Sequence, residues 1–239
     1  MREFVEGPAH LWFLFMIVGL YILVPLFKKI VANDGLTQYF VLLSLAFTFV
    51  LPYFVTLISL YSEKIASIAG GILKSVGFNF TLGYVGYFVF GYYFSQIHIN
   101  FQKKWIIYLL GIAGLLITIF AQVIFPVSDK AASSVFHDNM TVNVMLISVS
   151  LFVFARNNLR FQNASQRTVK IIGKLSEYSF GAYLVHAMVI TQLDHIVGLN
   201  TLSFNPIISV PIIGIMVFVI SFAISGILHH IPILNRYIV

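Results

Sequence analysis

One short polar stripe near the end of the chain carries the residue types best suited to acid–base chemistry. Ser179, Tyr183 and His186 follow one another at spacings of four and three, so on an α-helix they fall within about 60° of one another. A histidine on such a stripe can act as a general acid or base, with the hydroxyl groups forming a hydrogen-bonding wall. The same stripe could instead be an interhelical hydrogen-bond network that only holds helices together.

A second candidate lies near the start of the chain, where His10 and Trp12 open an apolar segment. Tryptophan at the end of a membrane span is typical of the aromatic belt at the membrane surface, so an interfacial anchor is one interpretation. A functional role for this pair is the other. His229 and His230 are interpreted as interfacial residues and not as a metal pair, because no carboxylate or cysteine lies near them in the sequence. No metal site is predicted.

The elements that must position these residues are membrane spans. The chain has 239 residues, of which 59% are hydrophobic and only 9% charged, whereas soluble domains are about 25% charged. This composition excludes a disordered chain and a protein whose main role is nucleic-acid binding, and the absence of cysteine excludes a disulfide scaffold. The predicted fold is all-α, a polytopic transmembrane helix bundle forming a single domain over residues 1–239, because the segments lack the alternation of a lipid-facing barrel strand.

Seven apolar segments are each long enough to cross about 30 Å of hydrocarbon. They are predicted at 9–31, 36–60, 80–97, 105–125, 139–156, 176–197 and 205–228. Two further segments have the amphipathic pattern of interfacial helices: 65–76, and 169–178 just before the sixth span turns into the membrane. Glycines in the third and fourth spans are predicted to let helices pack closely. They are Gly83, Gly86, Gly91, Gly111 and Gly114.

The distribution of basic residues predicts the orientation. Ten of the 14 lysine and arginine residues fall in the loops on one side of the predicted spans, which indicates an N-out, C-in topology by the positive-inside rule. The net charge of +6 is then accounted for by orientation and by contact with anionic lipid. It therefore does not require a nucleic-acid partner.

Several motifs resemble one known family. They are His10-Leu-Trp12-Phe-Leu with Gly19-Leu-Tyr21 and Pro25-Leu-Phe-Lys-Lys29, then the glycine- and tyrosine-rich run from Gly83 to Tyr92, and finally Lys174-Leu-Ser-Glu-Tyr-Ser-Phe-Gly-Ala-Tyr-Leu-Val-His186. Together they resemble bacterial membrane acyltransferases of the acyltransferase-three type, the surface-polysaccharide O-acyltransferases. The last motif is similar to the late signature of that family, and the resemblance runs over nearly the whole chain.

The chain also departs from the family pattern. Family members have about ten core spans, and the best-supported catalytic histidine, with a companion arginine, lies in the first of them. We expect this chain to begin about three spans later, as an N-terminally truncated, C-terminal portion of such an enzyme. An odd deficit of three spans turns an N-in family topology into the N-out start that the charges predict. Because the base of the missing helix would be absent, we expect the 239-residue chain alone to be inactive.

The resemblance implies a function in the bacterial cytoplasmic membrane. It implies transfer of an acyl group, expected to be acetyl, from acyl-coenzyme A to a hydroxyl of a cell-surface glycan. Ser179, Tyr183 and His186 would then be catalytic, and His10 and Trp12 would bind substrate. The alternatives are a non-catalytic remnant or structural membrane protein, and a transporter of polysaccharide precursors. Transport is disfavoured because no aspartate or glutamate falls at membrane depth. The oligomeric state stays open.

Overall fold

The computed structural model describes residues 11–76, 79–124, 136–159 and 164–231, and within these ranges the chain is helical with no strand. Eight helices follow one another in the described ranges. They are α1 (Trp12–Val31), α2 (Asp34–Ser59), α3 (Glu63–Val76), α4 (Asn79–Gln96), α5 (Phe101–Ile124), α6 (Val142–Asn158), α7 (Gln166–Val197) and α8 (Pro206–His229). The predicted polytopic, all-α fold is confirmed.

A helix corresponds to each of the seven predicted spans, and five are long and apolar enough to cross a membrane. These five are α1, α2, the Phe101–Ala121 part of α5, α7 and α8. The α6 helix is apolar but has only 17 residues, and α4 has 18 residues rich in tyrosine and glycine. Length and composition therefore support five of the seven spans directly. The N-out, C-in orientation stays a prediction.

The α2 helix is interrupted near its middle. Residues Leu45–Val50 form a π-helical turn, and a second α-helical segment with Pro52 in its first turn runs from Leu51 to Ser59. Proline has no backbone N–H to donate to the preceding turn, and a wider turn before it is one way in which a helix accommodates that loss. The predicted uninterrupted span at 36–60 is thus one membrane-crossing element built from two α-helical segments.

The α7 helix differs from its prediction. The amphipathic segment 169–178 was expected to lie on the membrane surface before a turn, yet Gln166–Val197 is one continuous helix of 32 residues, about 48 Å long. Its ends are well defined, because the Ser165 side chain accepts from the Thr168 N–H at 3.1 Å and Gly198 closes the helix with φ 69°. The prediction of a break was wrong because the segment contains no proline and its one glycine, Gly173, does not interrupt the helix.

The contacts of the chain divide it into two compact units, Leu14–Arg160 and a unit made of Met1–Phe13 with Phe161–Val239. In the Leu14–Arg160 unit, α5 and α6 pack closely through two of the predicted glycines. A Cβ atom on Gly111 would overlap the Ser150 side chain, and one on Gly114 would lie 2.6 Å from the carbonyl oxygen of Asn143. A Cβ on Gly86 would lie 3.2 Å from the Cβ of Ser44. The packing prediction is confirmed at these three glycines.

The same prediction was wrong for the other two glycines of α4. A Cβ atom on Gly83 or Gly91 would meet no other atom of the described residues within 4 Å. Gly83 instead has non-helical backbone angles and marks a kink in α4. Backbone freedom, and not close approach of a second helix, is therefore what Gly83 supplies.

A buried amide and an arginine fasten the helices of the Leu14–Arg160 unit to one another. The Asn143 side chain, 1% exposed, donates to the Thr118 hydroxyl at 2.7 Å and to the Phe136 carbonyl at 2.8 Å. Arg156 donates to the carbonyl oxygens of Phe94 and Ile97 at the end of α4. A cation at that position also suits the negative end of the helix dipole.

Candidate functional site

The helices α7 and α8 form an antiparallel pair that sets the position of the candidate residues. The Ser225 hydroxyl of α8 donates to the Tyr178 carbonyl of α7 at 2.8 Å. Because the helices run in opposite directions, His186, eight residues after Tyr178, lies level with about residue 217 of α8. That residue is near the middle of Pro206–His229. His186 therefore lies about 12 Å along α7 from Tyr178, halfway along its partner helix.

Tyr183 and His186 form a contacting pair. Their rings stack with centroids 5.4 Å apart and planes 29° from parallel, and the His186 Nδ1 contacts the Tyr183 carbonyl oxygen one turn earlier. A carbonyl oxygen only accepts hydrogen bonds, so Nδ1 carries the hydrogen in a neutral ring and Nε2 carries the lone pair. Both side chains are half-buried. The backbone of α7 thus orients the imidazole with Nε2 as its basic nitrogen.

Ser179 lies on the same face of α7 but takes no part in the contact between Tyr183 and His186. Its side chain is exposed, and its hydroxyl donates to the Ser176 carbonyl of its own helix at 2.7 Å. It lies seven residues, about 10 Å along the helix axis, from His186. The structure therefore brings Tyr183 and His186 together and leaves Ser179 bonded to the backbone of α7.

Trp12 is connected to the Tyr183–His186 pair through the ring of Phe13. The Phe13 ring lies 5.5 Å from the Tyr183 ring at 61°, and the Trp12 ring lies 6.1 Å from Phe13 at 82°. The sequence places Trp12 at the outer end of a span, yet Tyr183 precedes Val197, the last residue of α7, by 14 residues, or about 21 Å. Phe13 therefore meets α7 near its middle. His10 lies outside the described residues.

Phe13 is the residue that sequence reasoning missed. It stands inside the same motif as Trp12, and its aromatic type is the only signal that the sequence offers. Phenylalanine makes up 24 of the 239 residues, so type alone could not single it out. Its contact with Tyr183 joins residues 170 positions apart.

Comparison with known protein families decides what kind of protein carries this pair. A family model described as an acyltransferase domain matches residues 3–226, which is nearly the whole chain. The chain belongs to the acyltransferase-three family. Neither the curated proteins nor the solved structures gave a match. Its apolar helices and its family make it a multi-pass membrane acyltransferase.

A basic stripe marks the first turns of α7 in this acyltransferase. Arg167, Lys170 and Lys174 line an open concavity of about 480 Å³ together with Gln166 and Ile171. Spacings of three and four place the three cations on one helix face, within about 60° of one another. That face lies about 130° around the axis from His186. The stripe can attract a phosphorylated molecule, but it does not share the face that carries Tyr183 and His186.

The helix pair of the acyltransferase also holds a histidine–carboxylate contact that corrects the sequence argument about His229. Its Nε2 lies 3.0 Å from the Glu177 carboxylate, and the Tyr178 ring lies 5.2 Å from the imidazole. A carboxylate is thus near after all, 52 residues away in the sequence. Among the described residues, no group of three or more histidine, aspartate or glutamate side chains is placed to hold a metal ion.

Proposed function

We propose that this membrane acyltransferase is an O-acyltransferase of the bacterial cytoplasmic membrane. It transfers an acyl group, acetyl in the simplest case, from acyl-coenzyme A on the inner side to a hydroxyl of a cell-surface glycan. The observation that supports this most is the Tyr183–His186 pair, half-buried at mid-height of the α7–α8 pair in a chain of this family. Acyl transfer to an alcohol needs a base, and the Nε2 of His186 has the required lone pair.

The proposed reaction uses His186 as the general base. This role departs from the family pattern, which places the best-supported catalytic histidine in an earlier span, and it predicts an activity of the 239-residue chain that the resemblance alone does not imply. Nε2 removes the proton of the acceptor hydroxyl while the hydroxyl oxygen attacks the thioester carbonyl carbon. The carbon–sulfur bond breaks, the coenzyme A thiolate leaves, and the imidazolium returns the proton to that thiolate. The contact of Nδ1 with the Tyr183 carbonyl holds the ring in one orientation and stabilises the imidazolium. We assign to the Tyr183 hydroxyl a hydrogen bond to the acyl carbonyl oxygen, where negative charge develops.

Substrate binding is assigned to two places. The basic stripe of Arg167, Lys170 and Lys174 supports long-range attraction of the coenzyme A phosphates. Lys174 lies twelve residues, about 18 Å along α7, from His186, so we assign to the stripe the attraction of the donor and not the placement of its thioester at His186. At the acceptor side, Trp12, about half exposed and linked to Tyr183 through Phe13, offers an aromatic face to a sugar ring. His10 is proposed as its polar companion.

The test is transfer of labelled acetyl from acetyl-coenzyme A to glycan, in membranes from cells that express the protein. We expect His186→Gln to lower turnover at least about tenfold, because removal of a general base costs about 10²–10⁴-fold. Tyr183→Phe should lower it as well. His195→Gln is the matched control, since His195 is an exposed histidine on the same helix, and it should keep wild-type turnover.

Two results would contradict the proposal at different levels. If well-folded His186→Gln protein turns over like the wild type, His186 is not the base, although the acyltransferase activity stands. If the wild-type protein transfers no acyl group to any glycan of its own cell envelope, the donor and acceptor assignments are wrong. Expression and thermal unfolding of each variant are measured in parallel, so that loss of folding is separated from loss of chemistry.

A further inference from the structure

A groove between α5 and α6 has features that neither the acyltransferase family nor the Tyr183–His186 pair explains. It is an open groove of about 690 Å³ within the Leu14–Arg160 unit. Its lining residues come from both helices and combine an aromatic wall with a polar end. They are Phe101, Lys104, Trp105, Tyr108, Ile112, Ser150, Leu151, Phe154, Asn157 and Asn158.

The wall of the groove is a row of four aromatic rings. Phe101 and Trp105, Trp105 and Tyr108, and Tyr108 and Phe154 each lie edge to face with centroids 6.1 Å apart. Trp105 and Phe154 remain 54% and 51% exposed. Rings that pack on one another while half their surface stays open present a continuous apolar face, which suits a hydrocarbon chain.

The polar end of the groove lies where the distribution of lysine and arginine places the inner leaflet. Lys104 lines the groove and is half-buried, whereas its neighbour Lys103 is exposed and does not line it. Asn157 and Asn158, at the end of α6, line the same groove, and the amide nitrogen of each donates to a carbonyl oxygen of its own helix. None of the described lining residues is acidic. This end of the groove can therefore pair with an anionic group.

We propose that this groove is a binding site for one anionic phospholipid of the inner leaflet. An acyl chain lies along the ring wall from Trp105 toward Ile112, and the headgroup phosphate pairs with Lys104. The eight residues from Lys104 to Ile112 span about 12 Å, so the site takes the first part of the chain. Basic pockets between membrane helices on the cytoplasmic side are suited to anionic headgroups. The proposal does not depend on the acyl-transfer chemistry proposed for α7.

The two tryptophans of the chain, Trp12 and Trp105, allow a direct test. In a Trp12→Phe variant, Trp105 is the only tryptophan and stands in the wall of the groove. The purified variant is placed in lipid mixtures that contain phosphatidylglycerol or phosphatidylcholine with the same brominated chains, and quenching of Trp105 fluorescence reports the relative affinity. We expect phosphatidylglycerol to be preferred by about fivefold, the effect of one lysine on an anionic lipid.

Two matched lysine variants separate a built site from general attraction. In the Trp12→Phe background, Lys104→Gln should abolish the preference, and Lys103→Gln should keep most of it. Equal losses in the two variants would mean diffuse attraction by surface charge and would overturn the proposal, as would equal quenching by both lipids in Trp12→Phe. Displacement of brominated phosphatidylglycerol by a long-chain acyl-coenzyme A, but not by unbrominated phosphatidylglycerol, would assign the groove to an acyl donor and also overturn it. Circular dichroism of each variant confirms that the helices are intact.

Discussion

Gly114→Ala is expected to destabilise the acyltransferase although alanine is the better helix former. A Cβ atom at position 114 would lie 2.6 Å from the carbonyl oxygen of Asn143, where ordinary contact begins at 3.4 Å. The α5 and α6 helices must then separate locally by about 0.8 Å, which is 3.4 minus 2.6. Overpacking of this kind costs about 1–3 kcal/mol. The gain in helix propensity of about 1 kcal/mol leaves a net loss of up to about 2 kcal/mol.

Gly19→Ala supplies the matched control, because Gly19 also lies inside a helix and a Cβ there meets nothing within 4 Å. It receives the same propensity gain without the clash. The free energy of unfolding, measured by denaturant titration in detergent micelles, should therefore be lower for Gly114→Ala than for Gly19→Ala by about 1–3 kcal/mol. Equal stability of the two variants would refute the inference that α5 and α6 are in backbone contact at Gly114.

Four further variants test the contacts between helices and the continuity of α7. Asn143→Ala should lower the free energy of unfolding by about 1–3 kcal/mol, because the Phe136 carbonyl loses its donor in a buried site; an unchanged unfolding curve would contradict the buried network. Arg156→Gln should lower it by less, about 1 kcal/mol or less, because Arg156 is exposed and water replaces part of the two lost bonds to the end of α4, and amide exchange near that end should rise. Gly173→Pro should cost about 3 kcal/mol or more, because proline interrupts a helix interior, whereas Gln166→Pro at the first position of α7 should be tolerated. If both proline variants unfold alike, the continuity of α7 is wrong.

The predictions from sequence succeeded in locating the apolar helices and failed where tertiary contacts or the continuity of a helix decide the structure. Apolar runs of about twenty residues located all seven main helices because burial in lipid requires such runs. The spacing of small residues identified Gly111 and Gly114 as packing positions, but the same reasoning failed for Gly83 and Gly91. Whether a second helix approaches a glycine depends on the tertiary arrangement. The sequence of the helix that contains the glycine does not predict that approach.

The candidate site likewise has features that the sequence predicts and features that it does not predict. The stripe of Ser179, Tyr183 and His186 follows from helix geometry, so its members could be named from spacing alone. The stacking of Tyr183 on His186 depends on side-chain rotamers, and the Phe13 contact joins distant parts of the chain. No periodicity in the sequence predicts the ring stacking or the Phe13 contact. The roles of these residues in catalysis stay a proposal.

The continuity of α7 has a consequence for the proposed reaction. One unbroken helix carries the basic stripe in its first turns and the Tyr183–His186 pair near its middle. A rigid helix fixes both the rise of about 18 Å from Lys174 to His186 and the rotation of about 130° between the two faces. A donor whose phosphates stayed on the stripe could not reach Nε2 in a straight line along one face. The stripe is therefore better suited to collecting the anionic donor from solution than to holding it during transfer, and positioning of the thioester must come from groups around His186 itself.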